Sequence, residues 1–139
     1  MSQHADLRTE SAPPQVTGRI ANVVLWVVQV LLAAAFLFAA GAKFAGDPAV
    51  VATFDAIGAG AWLLYLVAVL EALGAIALLI PRLAGLAGAA FVALMIGALV
   101  THLVVLGEGT LGVLPILVLS ALVAWGRRRS IGELARSLR

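Results

Sequence analysis

Three side chains able to hold or pass a proton stand inside otherwise apolar stretches of this 139-residue chain: Lys43, Glu71 and His102. Glu71 lies midway along the run Ala61–Ile80. A carboxylate at such a depth serves proton or ligand chemistry or clasps a neighbouring helix, and either use turns it toward protein rather than lipid. Lys43 closes the run Ile20–Ala42, where the default role of a lysine is a snorkelling anchor. His102 follows Thr101 toward the end of Leu83–Leu106. A lone histidine is more often a hydrogen-bonded packing residue than an acid–base group. Gln29 shares a seven-residue spacing, and so one helix face, with Asn22, Phe36 and Lys43; at its depth an amide calls for an interhelical partner.

If successive helices alternate in direction, Lys43, Glu71 and His102 all fall in one half of the assembly. A Glu–His pair would couple their protonation, with Lys43 as counter-charge. With Phe36, Trp62 and Tyr65 in the same half, the cluster would end an apolar cleft suited to a lipid-soluble head group. The chain has no cysteine and no second histidine at ligand spacing, so neither thiol chemistry nor a metal site is expected. Nor is there a cofactor or nucleophile motif, which favours a subunit or accessory role over autonomous catalysis.

The elements that must position these groups are helices in a bilayer. With 63% hydrophobic and 12% charged residues, a chain this short cannot bury its Leu, Val, Ile and Ala side chains in a water-soluble core. The net charge of +2 is too small, and too close to apolar runs, to suggest nucleic acid; anionic lipid is the nearer partner. Four runs, 20–42, 61–80, 83–106 and 111–125, are continuously apolar without the alternation of barrel strands, which predicts an all-α integral membrane protein built as a four-transmembrane-helix bundle. Glu71 does not prevent insertion: about 3 kcal/mol for the acid is outweighed by eleven Leu, Ile and Val residues at about 0.5 kcal/mol each. The last run, 15 residues or roughly 22 Å, is short against a hydrocarbon core of about 30 Å; Thr110 is a candidate cap, and Pro115 either lies in its first turns or delays its start.

Residues 1–18, polar and carrying Pro13-Pro14, read as a disordered tail. Residues 19–126 form the membrane domain, and 127–139 a basic tail whose Ile131, Leu134 and Leu138 suit either an interfacial helix or a frayed end. Between the first two spans, Asp47-Pro48 is a helix start, Val50, Phe54 and Ile57 share a face, and Gly58 and Gly60 stop the helix. In the third span Gly85, Ala89, Ala93, Gly97 and Thr101 recur at four-residue steps, a stripe expected to allow close helix contact.

Gly41-Ala-Lys43-Phe44, then Glu71-Ala-Leu-Gly74 with Leu78-Leu79-Ile80-Pro81, then a Gly/Ala-rich span ending in Thr101-His102 resemble, in order and spacing, the DoxX and DoxX-like family over about Arg19 to Trp125. The resemblance implies a small four-helix membrane protein of the bacterial inner membrane, associated with redox systems such as thiosulfate:quinone oxidoreductase or with oxidative-stress protection beside soluble enzymes. It also implies that the family's Lys, Glu and His fall on Lys43, Glu71 and His102. The function this implies is a membrane subunit or docking partner of a quinone-linked redox or oxidative-stress system, with quinone as the cofactor and His102 as the expected donor to its carbonyl. A non-catalytic scaffold or assembly factor is the alternative, as is a small-solute or proton transporter, for which four helices without an inverted repeat are few unless the chain forms a homo-oligomer.

Orientation follows from charge. Arg8, Arg19, Arg82, Arg127, Arg128, Arg129, Arg136 and Arg139 fall on one side of the four spans and only Lys43 on the other, which predicts that both termini are cytoplasmic. Because the chain lacks cysteine, single cysteines at Ser2, Asp55, Glu108 and Ser137 test this with an impermeant thiol reagent on intact cells. The middle pair should label; labelling of the terminal pair instead would reverse the orientation.

Overall fold

The structure, a computed structural model, describes residues 16–139. Helix α1 runs Val16–Phe44, α2 Pro48–Ile57, α3 Ala61–Leu78, α4 Ala84–Thr101, α5 Thr110–Gly126 and α6 Arg128–Ser137; α4 continues into one π-helical turn, His102–Leu106. The tail expected over 1–18 lies outside the described residues except for its last three, which already belong to α1.

Three helical stretches, Gly18–Phe44, Ala61–Leu78 and Ala84–Leu106, are long and apolar enough to cross a membrane, and α5 with α6 makes a fourth if that pair, bent by 55°, counts as one span. Outward-facing side chains are the ones lipid would solvate: Phe38, Val104 and Leu111 are 82%, 78% and 83% exposed. The protein is therefore an all-helical membrane protein among its described residues.

Helices α1, α3, α4 and α5 form a closed ring in which each touches the next and α5 returns to α1. The buried faces follow heptad-like spacing. On α1 they are Gln29, Leu32, Ala33, Phe36, Ala40 and Lys43, and on α3 Leu64, Ala68, Glu71, Ala75 and Leu78. At the centre the Phe36 and Phe91 rings lie parallel with centroids 3.6 Å apart. Gly74 makes room for them: a Cβ there would sit 2.5 Å from Cζ of Phe91. The glycine one turn after Glu71 is thus a packing residue.

Several local expectations change. Asp47 does cap α2, accepting from the amides of Ala49 at 2.9 Å and Val50 at 3.3 Å, and Gly58, at φ 76°, ends it in the left-handed region. At the start of α5, however, Gly109 holds the cap position; Thr110 is already helical and makes no cap bond, while Pro115 lies inside the helix. Helix α6 is formed and lies against α4. Ser130 Oγ accepts from the Gly85 amide at 3.3 Å, capping the start of α4 from another helix, because Leu83 at its own cap position has no side-chain acceptor.

Of the four-residue stripe on α4, Gly85 is in close contact, a Cβ there meeting the Arg127 carbonyl oxygen at 2.5 Å, but the middle of the stripe is not a contact face. Ala89, Ala93 and Gly97 are exposed, and a Cβ on Gly97 would meet nothing within 4 Å. Close approach of α4 to α5 depends instead on Gly88, where a Cβ would lie 2.8 Å from the Ala124 amide nitrogen. A backbone atom cannot swing aside as a side-chain tip can. Gly88→Ala should therefore destabilise the bundle, overpacking of about 1–3 kcal/mol exceeding the roughly 1 kcal/mol gained in helix propensity. Gly97→Ala, with open space around it, should stabilise by up to about 1 kcal/mol. Thermal unfolding in detergent compares them; equal effects would mean that α4 and α5 are not in close contact.

Candidate functional site

Lys43 sits in the last turn of α1, where an ammonium also suits the negative end of the helix dipole. It does not snorkel. Its Nζ turns inward to Glu71, donating to Oε1 at 3.1 Å and lying 2.9 Å from Oε2, with a long additional contact to the Ala39 carbonyl at 3.5 Å. Both residues are buried, 9% and 4% exposed. Oε2 is itself buried, and its contact among the described residues is this ionic one to the ammonium. The backbones come near enough for this because Ala40 on α1 and Ala68 and Ala75, one turn either side of Glu71 on α3, are small and almost fully covered.

The pair forms part of the wall of a cavity of about 520 Å³. Helix α2 contributes Val50, Thr53, Phe54 and Ile57, α3 adds Leu63 and Val67, and α4 adds Ala93, Gly97 and Thr101. The small residues on α4 that do not pack against another helix are thus the ones that leave this space open. Both threonine hydroxyls donate to their own helix, Thr53 to Ala49 and Thr101 to Gly97, each at 3.0 Å. The hydrogen-bonding character of the cavity therefore comes chiefly from Lys43, Glu71 and His102.

His102 is in the same wall, at the start of the π-helical turn, but it does not pair with Glu71; no His–carboxylate contact within ion-pair distance occurs among the described residues. Its Nδ1 lies 2.8 Å from the Glu108 carbonyl oxygen. A carbonyl only accepts, so Nδ1 carries the proton, and in the neutral ring Nε2 is left as an acceptor. The expectation that neutral His102 donates to a quinone carbonyl changes accordingly. Gly109, at φ 79°, is needed beside the ring, since a Cβ there would come within 2.7 Å of Nδ1.

Gln29 belongs to a second polar centre at the other end of the bundle. Fully buried, it donates from Nε2 to the Leu78 carbonyl at 2.6 Å and accepts from Arg127 Nε at 2.8 Å. Arg127 also donates to Asn22 at 2.9 Å and stands 5.7 Å from the centroid of the Trp26 ring. Leu78 ends α3 just before Leu79-Ile80-Pro81, so its carbonyl lacks a helical partner, and Gln29 supplies one. Sequence reasoning assigned Arg127 to the basic tail with its neighbours. The available signal was its position, first of three arginines immediately after the apolar run.

The sequence profile of the DoxX-like family matches residues 27–125, most of the chain and all of Gln29, Lys43, Glu71 and His102. The chain belongs to the DoxX-like family. No curated protein and no solved structure matches it. Both halves of the ion pair in this DoxX-like protein lie within the matched stretch, whereas Arg127 lies just beyond it.

Removing one member of a buried ion pair leaves the other without compensation, a loss of about 3–5 kcal/mol. Lys43→Met should show a loss of this order, and Lys43→Met combined with Glu71→Leu should recover most of it, because two apolar side chains need no partner. A double-mutant cycle on unfolding in detergent measures the coupling. Additive losses would mean that the two groups do not interact.

Proposed function

We propose that this DoxX-like protein is a four-span component of the bacterial cytoplasmic membrane, with both termini inside, that serves as a membrane subunit or docking partner of a quinone-linked redox or oxidative-stress system. The cavity would be the seat of the quinone ring. The observation that carries this reading is a space of about 520 Å³ with mainly apolar walls and one buried Lys43–Glu71 pair, in a membrane protein. Its size falls in the usual range of small-molecule sites, roughly 300–1,000 Å³, and a few fixed polar groups in an apolar cleft are what orient such ligands.

The residues fit a quinone. The ammonium of Lys43, a three-donor group in the cavity wall whose contact to Ala39 is long, is the group that would donate to a quinone oxygen. A bound quinone would supply a lipid-soluble carrier of two electrons and two protons. The protein's own contribution is to hold the ring beside a fixed charge pair, and a soluble oxidoreductase would supply the electrons.

Titration of the purified protein with a short-chain quinone and its quinol, read as thermal stability in detergent, tests the reading. Saturation with at least one of the two should stabilise the fold by about 2.7 kcal/mol at a hundredfold excess over Kd. Gly97→Phe, which places a ring in the cavity, should abolish the shift while leaving the protein folded. A flat response of the wild type to both redox forms would remove the quinone from the function. Recovery of an oxidoreductase with the protein from native membranes would support the subunit role.

A further inference from the structure

We propose that the cavity opens sideways into the hydrocarbon of the bilayer through the seam between α3 and α4, and that its ligand is a long-tailed amphiphile whose head lies inside while its tail stays in lipid. This rests on the reading of the cavity as a quinone site and specifies the class of quinone and the side from which it comes.

On both helices of that seam the cavity wall runs directly into the lipid-facing surface. Ala93 and Gly97 on α4 line the cavity and are themselves exposed, and Ile96 and Val100 beside them face outward. Positions 93, 96, 97 and 100 share one helix face. The same spacing recurs on α3, where Leu63 and Val67 line the cavity while Leu66 and Leu70, next to them on the helix, are exposed. No bulk stands at the α4 rim, since a Cβ on Gly97 would meet nothing within 4 Å. Ala93 and Gly97 lie midway along the membrane-crossing stretch Ala84–Leu106, so the mouth is level with hydrocarbon and not with the head groups.

The outer end of the cavity is covered instead. Helix α2 packs on α3 and on the π-helical turn, and its Val50, Thr53, Phe54 and Ile57, all partly buried, stand between the cavity and the loops that flank α2. The buried Lys43–Glu71 pair lies in the wall contributed by α1 and α3, away from the lipid-facing edge. Polarity therefore falls from the ion pair toward the mouth. A ligand oriented by that gradient turns its oxygen to Lys43 and its apolar part out between α3 and α4.

A tail that remains in lipid whether its head is free or bound exchanges one apolar neighbour for another, so it adds little to affinity and costs little. Quinones that differ only in tail length should then bind alike when their amount is counted per lipid. A cavity closed to lipid behaves oppositely, because a full isoprenoid tail cannot be housed with its ring in about 520 Å³.

The ubiquinone head group without a tail, decylubiquinone, and ubiquinone with its full isoprenoid tail would each be added to nanodiscs holding the full-length protein. Saturable thermal stabilisation is read against the measured mole fraction of each in the lipid. The three midpoints should agree within about threefold. In a second arm, decylubiquinone carrying a diazirine on the tail near the ring is photolysed in the same nanodiscs, and the labelled residues are mapped. Labelling should fall on 63–70 and 93–100, and should be suppressed both by excess tail-free head group and in Gly97→Phe, whose ring occupies the cavity. A tail-free head group that saturates while the full-length ubiquinone does not would overturn this proposal and leave the cavity a quinone site. So would labelling of α2 in place of the α3–α4 seam, or seam labelling that neither competitor nor Gly97→Phe reduces. No saturable shift with any of the three quinones would overturn both readings.

Discussion

The interaction on which the structure turns is the ion pair between Lys43 and Glu71. Neither charge is tolerable in an apolar interior by itself, and each is the other's nearest compensation. To meet at 2.9 Å, the last turn of α1 must lie against the middle of α3, and that register in turn fixes the neighbouring contacts. Ala40, Ala68 and Ala75 keep the two helices close, while Phe36, two turns before Lys43 on the same face of α1, stacks on Phe91 from α4. Gly74, one turn beyond Glu71, receives that ring. A charge requirement and a packing requirement thus share the same helix faces.

The opposite end is organised by a different deficit. Helix α3 stops before Pro81, leaving the Leu78 carbonyl without a backbone donor, and Gln29 from α1 provides the missing bond. Arg127 then holds Gln29 and Asn22 from the α5–α6 junction. Helices distant in sequence are joined by polar contacts at both ends of an apolar middle. In a bundle where lipid competes on equal terms for apolar surface, such contacts and close backbone approaches at glycine are what select one arrangement of helices.

The cavity arises where this packing is relaxed. Helix α2, started by Asp47 and ended at Gly58, covers the α1–α3–α4 side of the bundle at the level of the ion pair, and small residues on the facing wall of α4 leave the space beneath it unfilled. A packed assembly of the same helices would be expected to place bulk at Ala93 or Gly97. That open space beside a buried ion pair is what separates this end from the Gln29–Arg127 end, where Arg127 is packed against Gln29, Asn22 and Trp26.

The sequence by itself determined that the protein is helical and membrane-embedded, because continuous apolar runs without alternation have no other solution in a bilayer. It determined the α2 start at Asp47-Pro48, since capping and proline placement are local, and it singled out Gln29 and Glu71 as inward-facing, since polar groups avoid lipid. The family, too, was legible from Lys43, Glu71 and Thr101-His102 in their order. Only the tertiary structure decided who pairs with whom. That Lys43 turns in to Glu71 rather than out to the headgroups, that His102 is tied to the Glu108 carbonyl, and that Arg127 leaves the basic tail to hold Gln29 are outcomes of helix register, which periodicity on one helix cannot fix. The same reason separates Gly88 from Gly97. Both are glycines on one apolar helix, and which of them meets a backbone and which faces a cavity depends on the rotation of α4 against α5, a quantity set by all the contacts together.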